Sequence, residues 1–292
     1  MLGSYRGLSV EAGAAAVGRR HQPQSSMLDL EFAQLSDPGC VRERNEDYLG
    51  HVLPRTPAEA RSHGWLFALA DGVGGHEQGE VASRTAVESL LAGFRTAARG
   101  EPHSTLLPRL VQAANTEVYD TGLKAGSGGS SMATTLVSCA LRYDHALIAH
   151  VGDSRCYLIR RGQARLLTRD HTVAGEQVRL GVLSAQEAAQ VPTRHLLSRS
   201  LGSNLFVNVE TSGHQVLAGD VLVLCSDGLH GAVTALEMAE LASHDTGLHA
   251  TARELVTLAI ERDGSDNISV QLIRVRSVER VGMYRGRPYK LH

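Results

Sequence analysis

The sequence predicts an α+β fold built on antiparallel sheets, and three observations carry that expectation. Between Met132 and Leu167 the strand-like runs follow one another across short turns, as hairpins do. The two longest amphipathic stretches lie together between Val87 and Val118, instead of alternating with strands as a βαβ array requires. Four segments place an aspartate beside, or within two residues of, a glycine or asparagine, and three of these lie at an end of an apolar, strand-like run.

The elements can be justified in order. Residues 1–27, rich in Gly, Ala, Ser and Gln, read as a loose leader. Leu28, Leu30 and Phe32 alternate with polar or small residues, as in a half-buried strand. Trp65–Ala70 is a short apolar strand ending at Asp71, with a Gly-rich turn after it. Val87, Leu90, Leu91 and Phe94 then recur at helical spacing, as do Leu107, Leu110, Val111, Ala114 and Val118. A loop at 122–131 precedes a strand at Met132–Leu141. Strands at His145–Val151 and Arg155–Arg160 flank a Gly-Asp turn, and Arg161-Gly162-Gln163 turns the chain into a return strand at Ala164–Leu167. Residues 171–195 are polar, with Ser184 placed to cap a short helix. Val221–Cys225 is a strand, Ala252, Leu255, Val256, Ala259 and Ile260 mark a helix, and Ile268–Val275 is a strand leading out of Asp266-Asn267. Residues 277–292 form a short basic tail.

Composition narrows the class. The 292 residues suffice for one large domain or two small ones. A net charge of -2 gives no electrostatic case for nucleic acid or an anionic membrane as partner. Cys40, Cys139, Cys156 and Cys225 form no CxxC pair, so neither a zinc site nor a redox motif is indicated. Buried thiols suit a reducing cytoplasm. No apolar run approaches a membrane span, and the N-terminus lacks the layout of a signal peptide. A soluble cytoplasmic protein, monomeric, is the expectation.

The aspartate segments are Arg42-Glu43-Arg44-Asn45-Glu46-Asp47, Ala70-Asp71-Gly72-Val73-Gly74-Gly75-His76, Ser226-Asp227-Gly228 and Ser265-Asp266-Asn267; Val151-Gly152-Asp153-Ser154-Arg155 is a fifth of the same character. Any one of them could be only a turn. Gathered at strand ends, however, such carboxylates repel, by roughly 3 kcal/mol per pair at about 5 Å and an effective dielectric of about 20. A cation must then neutralise them, and oxygen-only ligands select a hard divalent ion, Mg²⁺ or Mn²⁺.

Taken together and in this order, the segments resemble the metal-dependent serine/threonine protein phosphatases, the type 2C or PPM family, in its bacterial form. The resemblance runs from about Leu28 to Val275. It implies an αββα four-layer sandwich, two central antiparallel sheets flanked by helices, spanning 28–276. It implies two Mn²⁺ or Mg²⁺ ions and, in bacterial members, often a third. Asp71 would bridge two ions, and the Gly72 carbonyl would ligate one of them. Asp227 and Asp266 would complete the other site, with Asp47 and Glu46 near the metals. Asp153 would help hold the third ion, sharing Asp227. Arg42 would bind phosphate, and Asn267 would support the site beside Asp266. Catalysis would fall to Arg42, Asp47, Asp71, Asp227 and Asp266. Residues 171–195 fall where bacterial members carry a mobile flap.

Chemistry agrees with that assignment. Phosphate-monoester hydrolysis needs a nucleophile at neutral pH, and a metal can lower the pKa of bound water from about 16 to about 7. A guanidinium matches two phosphate oxygens in a fork, which suits Arg42. Some members carry a histidine two residues after the bridging aspartate as the leaving-group acid; Val73 stands there, and His76 is assigned outer-shell duty. Ala133 stands where the family usually has glycine, a change of packing rather than chemistry.

The leading function is hydrolysis of phosphoserine and phosphothreonine in proteins, reversing a bacterial Ser/Thr kinase. One alternative is a pseudophosphatase binding module, against which the intact carboxylate set argues. Another is a phosphoesterase for a small phosphate ester, which motifs do not exclude. A two-metal nuclease is disfavoured by the near-neutral charge.

Overall fold

The computed structural model describes residues 27–73, 78–125, 132–244, 247–284 and 287–290. The strands are β1 (Asp29–Asp37), β2 (Asp47–Val52), β3 (Trp65–Val73), β4 (Ala133–Thr134), β5 (Leu136–Arg142), β6 (His145–Val151), β7 (Arg155–Arg160), β8 (Gln163–Leu166), β9 (Glu210–Gln215), β10 (Val221–Cys225), β11 (Ile268–Ser277), β12 (Val281–Tyr284) and β13 (Arg287–Lys290). The helices are α1 (Pro57–Ser62), α2 (Gly79–Thr96), α3 (His103–Lys124), α4 (Val173–Arg179), α5 (Ala185–Ala188), α6 (Asp227–His230), α7 (Ala235–Ser243) and α8 (Leu248–Arg262).

Two sheets organise the chain. One runs β1-β11-β10-β7-β8; the other runs β2-β3-β5-β6-β9, with β4 added beside β3. Their pairings are antiparallel. Successive side chains on a strand point to opposite faces. On β3, Leu66, Ala68 and Ala70 therefore meet α2 and α3, while Phe67 and Leu69 face the other sheet. On β10, Val221, Val223 and Cys225 meet α7 and α8, while Leu222 and Leu224 turn inward beside Phe67 and Ile273. Three apolar cores thus separate four layers, helix–sheet–sheet–helix, as the resemblance implies. Strands buried on both faces read as unbroken apolar runs, which is why Val221–Cys225 was so plain in the sequence.

The predicted helices match α2, α3 and α8, and Ser184 caps α5 through a reciprocal capping box with Glu187. Three features differ. The strand expected at Met132–Leu141 is broken at Thr135, whose side chain is diverted to the site described below. β2 and β9 were not foreseen: β9 (Glu-Thr-Ser-Gly-His-Gln) is a sheet-edge strand with no large apolar residue, so hydrophobic periodicity is blind to it. The segment read as a basic tail at 277–292 carries the β12–β13 hairpin, and buried Glu279 just before it accepts two hydrogen bonds from Arg61 of α1 at 3.2 Å each. The arginines there masked the strand alternation. Among the described residues, no helix is long and apolar enough to cross a membrane.

Candidate metal centre

All five aspartates come from one end of the two sheets. Asp47 opens β2 and Asp71 lies near the end of antiparallel β3, and the register pairs them directly. Asp227 begins α6, two residues beyond the end of β10. Asp266 precedes β11, which pairs with β10. Asp153 lies in the turn between β6 and β7, and Arg155, at the start of β7, pairs with Cys225 at the end of β10. Sheet pairing alone therefore brings residues up to 219 positions apart (266 minus 47) into one cluster.

The electrostatics are those of a site built for cations. Both carboxylate oxygens of Asp47 are buried without a hydrogen-bond partner. Burial pushes the Asp47 carboxyl up to about 7 and the charges of Asp227 and Asp266 raise it further; the nearby Ser269 and Ser226 hydroxyls, short of full hydrogen-bond geometry, offset only part of this. Asp71 is the hub: burial, then the charges of Asp47, Asp227, Asp153 and Asp266, hold it well above the usual carboxylate range. Burial and Asp227 push Asp153 up to about 7, and burial and Asp266 raise Asp227. An unpaired buried carboxylate is costly unless a cation joins it. The donor set is oxygen only, as Mg²⁺ or Mn²⁺ requires, so these residues fit the ions that the family implies.

Neighbouring groups fix the cluster. Asn267 uses its whole side-chain amide as a cross-tie: Oδ1 accepts from the Glu46 N–H at 2.8 Å, and Nδ2 donates to the Pro38 carbonyl at 3.0 Å and the Arg44 carbonyl at 2.9 Å. The Asn267 N–H also donates to Asp266 Oδ1 at 2.9 Å. Glu46 in turn accepts the Gly72 N–H on its carbonyl at 3.1 Å. Asn267→Ala would strand the Glu46 N–H and two carbonyls, a loss of about 2–4 kcal/mol. The expected readout is a lower urea midpoint with weaker Mn²⁺ binding; an unchanged unfolding free energy would remove the cross-tie.

Close packing explains a glycine of the Asp-Gly pairs. A Cβ on Gly228 would lie 2.1 Å from the Asn267 carbonyl oxygen, so Asp227-Gly228 and Asp266-Asn267 can approach only without a side chain there. Gly152 has φ +104, a conformation that favours glycine, and sets the turn that presents Asp153.

Sequence reasoning missed several supports. The Thr135 hydroxyl accepts the Asp71 N–H at 3.0 Å and shares a hydrogen bond of 2.7 Å with Ser154, linking Asp71 to the Asp153 turn. Thr134 donates to the Asp71 carbonyl at 2.7 Å. Their signal was the adjacent Thr-Thr on an otherwise apolar strand. His230 Nε2 lies 3.0 Å from the Asp153 carbonyl, tying α6 to that turn. Arg42, expected to bind phosphate, stands at the rim with Nη2 donating to Asp266 Oδ2 at 2.9 Å. His76 lies outside the described residues.

Comparison with known proteins fits this geometry. Residues 42–265 match the family Protein phosphatase 2C, and the chain belongs to it. The chain is 35% identical over 257 residues to the serine/threonine phosphatase stp of Listeria innocua, covering 86% of this chain and 96% of that protein. It is 30% identical to the protein phosphatase PhpP of Streptococcus pneumoniae, over 84% of this chain and 97% of that one. The serine/threonine phosphatase structure from S. agalactiae superposes with a TM-score of 0.77 at 32% identity, covering 85% of this chain and all of that one. The catalytic domain of the phosphatase PstP, solved with 2 manganese ions, superposes at 0.72 with 31% identity, covering 85% and 99%. The protein is a serine/threonine protein phosphatase of the 2C type, a family whose activity depends on metal.

Proposed function

We propose that this phosphatase hydrolyses phosphoserine and phosphothreonine in protein substrates at a centre of two Mn²⁺ or Mg²⁺ ions, and so reverses a Ser/Thr kinase. The observation that carries the reading is Asp47, buried with both oxygens unpartnered among four other aspartates. Asp71 would bridge the ions, joined by the Gly72 carbonyl on one side and by Asp227 and Asp266 on the other. Asp47 and Glu46 would complete the surroundings, and Asp153 with Asp227 would hold a third ion. Such ions supply a water nucleophile near neutral pH and neutralise phosphoryl charge.

The chain's own residues do the rest. The strands hold the carboxylates rigidly, with Asp47 and Asp153 covered and Asp266 open to solvent. Arg42 spends one nitrogen on Asp266, and its remaining donors can orient phosphoryl oxygens. Three free cysteines, Cys139, Cys156 and Cys225, are buried, which supports work in a reducing compartment.

The test is hydrolysis of a phosphothreonine peptide by metal-stripped protein before and after Mn²⁺. Activity that appears only with metal supports the reading; none from folded, metal-loaded protein refutes it. Arg42→Ala should raise KM about tenfold with a smaller change in kcat. An unchanged KM would remove Arg42 from phosphate binding.

A further inference from the structure

The segment carrying α4 and α5 leaves the body after β8 and returns before β9. Its two ends close on His171: the Ser198 N–H donates to the His171 carbonyl at 2.8 Å, and the Val173 N–H to the Leu196 carbonyl at 2.8 Å. Beside this closure lies a cavity of about 510 Å³, lined by Arg169, Arg179, Arg199, Asn208 and Glu210 among others. The three arginines come from separate stretches: the approach to the segment, α4, and the segment's return.

Two carboxylates serve these three guanidiniums. Arg169 Nη2 pairs with Glu210 Oε2 at 2.7 Å, Arg179 Nε with Glu176 Oε2 at 2.6 Å, and Arg199 Nη2 with Glu176 Oε1 at 2.9 Å. Each guanidinium carries five N–H donors, so most of them are left for the cavity. The imidazole of His171 sharpens this. Its Nδ1 accepts the Gly152 N–H at 3.2 Å, so its proton sits on Nε2, which points at Glu210 Oε2 at 3.2 Å. Arg199 Nη1 lies 3.5 Å from that same Nε2. Two donors face each other there, and the guanidinium edge has no acceptor in that direction. His150, His171 and Glu210 could also be read as ligands to a metal. Their hydrogen bonds and the adjacent Arg169 and Arg199 argue instead for a binder of anions.

The cavity is close to the metal centre. His171 holds the Gly152 peptide on both sides, since its own N–H donates to the Gly152 carbonyl at 3.0 Å while its ring accepts the Gly152 N–H. Asp153 is the next residue. Glu210 Oε2 joins His171 to Arg169, and Asp170, beside Arg169, pairs with Arg155 two residues after Asp153, so short chains of contacts link the Asp153 turn to Arg169. An extended peptide advances about 3.3 Å per residue, so a substrate chain could span both places within about two to six residues.

We propose that this cavity is a second anion subsite, which takes a phosphoryl or carboxylate group of the substrate polypeptide a few residues from the phosphoamino acid being hydrolysed. The proposal rests on the phosphatase reading above. It makes the enzyme select substrates that are doubly phosphorylated, or acidic, at one spacing. Phosphate presents more acceptor oxygens to forked guanidinium donors than carboxylate does, and is the stronger ligand.

The test uses the full chain with Mn²⁺ and phosphothreonine peptides. Each peptide carries, two to six residues to either side, a non-hydrolysable phosphonate analogue of phosphothreonine, a glutamate or an alanine. The phosphonate should lower KM about tenfold at one spacing, and glutamate about threefold. Arg169→Gln with Arg179→Gln should erase that gain while leaving KM for the alanine peptide unchanged. Arg179→Gln alone, at an exposed helix position, should erase part of it and serves if the double variant folds poorly. The proposal fails if no spacing lowers KM, or if the gain survives in the variants. Fluorescence anisotropy of the same peptides on the wild-type and variant proteins reads the subsite without turnover. Absence of hydrolysis of every peptide would therefore count against the phosphatase reading, while an anisotropy gain that vanishes in the variants would still support the subsite.

Discussion

Asp227→Asn is expected to lower turnover at least about a thousandfold while making the metal-free protein more resistant to heat. The two effects share one origin. Asp227 is half-buried and borders Asp71, Asp153 and Asp266, each of them a carboxylate. Asparagine keeps the shape and removes one charge. Without metal, that relieves repulsion worth roughly 3 kcal/mol per pair at about 5 Å and an effective dielectric of about 20. With metal, on the reading proposed above, it would remove one of the charges that hold the ions. Binding stabilises the native state by RT ln(1 + [L]/Kd), so wild type should gain several degrees of Tm on adding Mn²⁺ and the variant much less. Calorimetry in chelator and in Mn²⁺, beside peptide turnover, checks both halves. A variant with near-normal turnover, or with the wild-type Tm response to Mn²⁺, would overturn the ligand assignment.

Gly228→Ala is expected to cost more than about 3 kcal/mol of stability and most of the metal affinity. The added carbon would lie 2.1 Å from the Asn267 carbonyl oxygen. That oxygen cannot retreat cheaply, because the Asn267 side chain is held by three hydrogen bonds to Glu46, Pro38 and Arg44. Any separation of the two loops also moves Asp227 away from Asp266. Gly213→Ala on β9 is the control, since the nearest atom there is Leu147 Cδ1 at 4.0 Å. Urea unfolding should show a large shift for Gly228→Ala and a small one for Gly213→Ala. Equal midpoints for the two variants would mean that the close approach is not needed.

The aspartates proposed to carry the chemistry are legible because their type is unusual where they stand, at the ends of apolar runs. α2, α3 and α8 were legible because one face of each is apolar at the helical period. What stayed hidden is what depends on long-range pairing. Nothing local in the sequence says that Asp47 faces Asp71, or that Arg42 reaches Asp266. Thr135 looked like one more strand residue, and its link between Asp71 and Ser154 exists only after β3, β5 and β6 have aligned. β9 stayed hidden for another reason: its side chains are polar, and its place is fixed by backbone pairing with β6.

The register of β1 with β11, from Asp29 opposite Ser277 to Asp37 opposite Ile268, has a consequence for the timing of activity. A topology so rich in contacts between distant parts of the chain has high contact order and folds slowly. Asp47 and Asp71 precede Asp266 by 219 and 195 residues, so synthesis delivers them well before Asp266 and β11. A nascent chain that stops short of Asp266 carries four of the five clustered aspartates and lacks the strand that places the fifth. In the folded protein β11 lies between β1 and β10, so the Asp266 end of the cluster is set only once that strand has joined both neighbours.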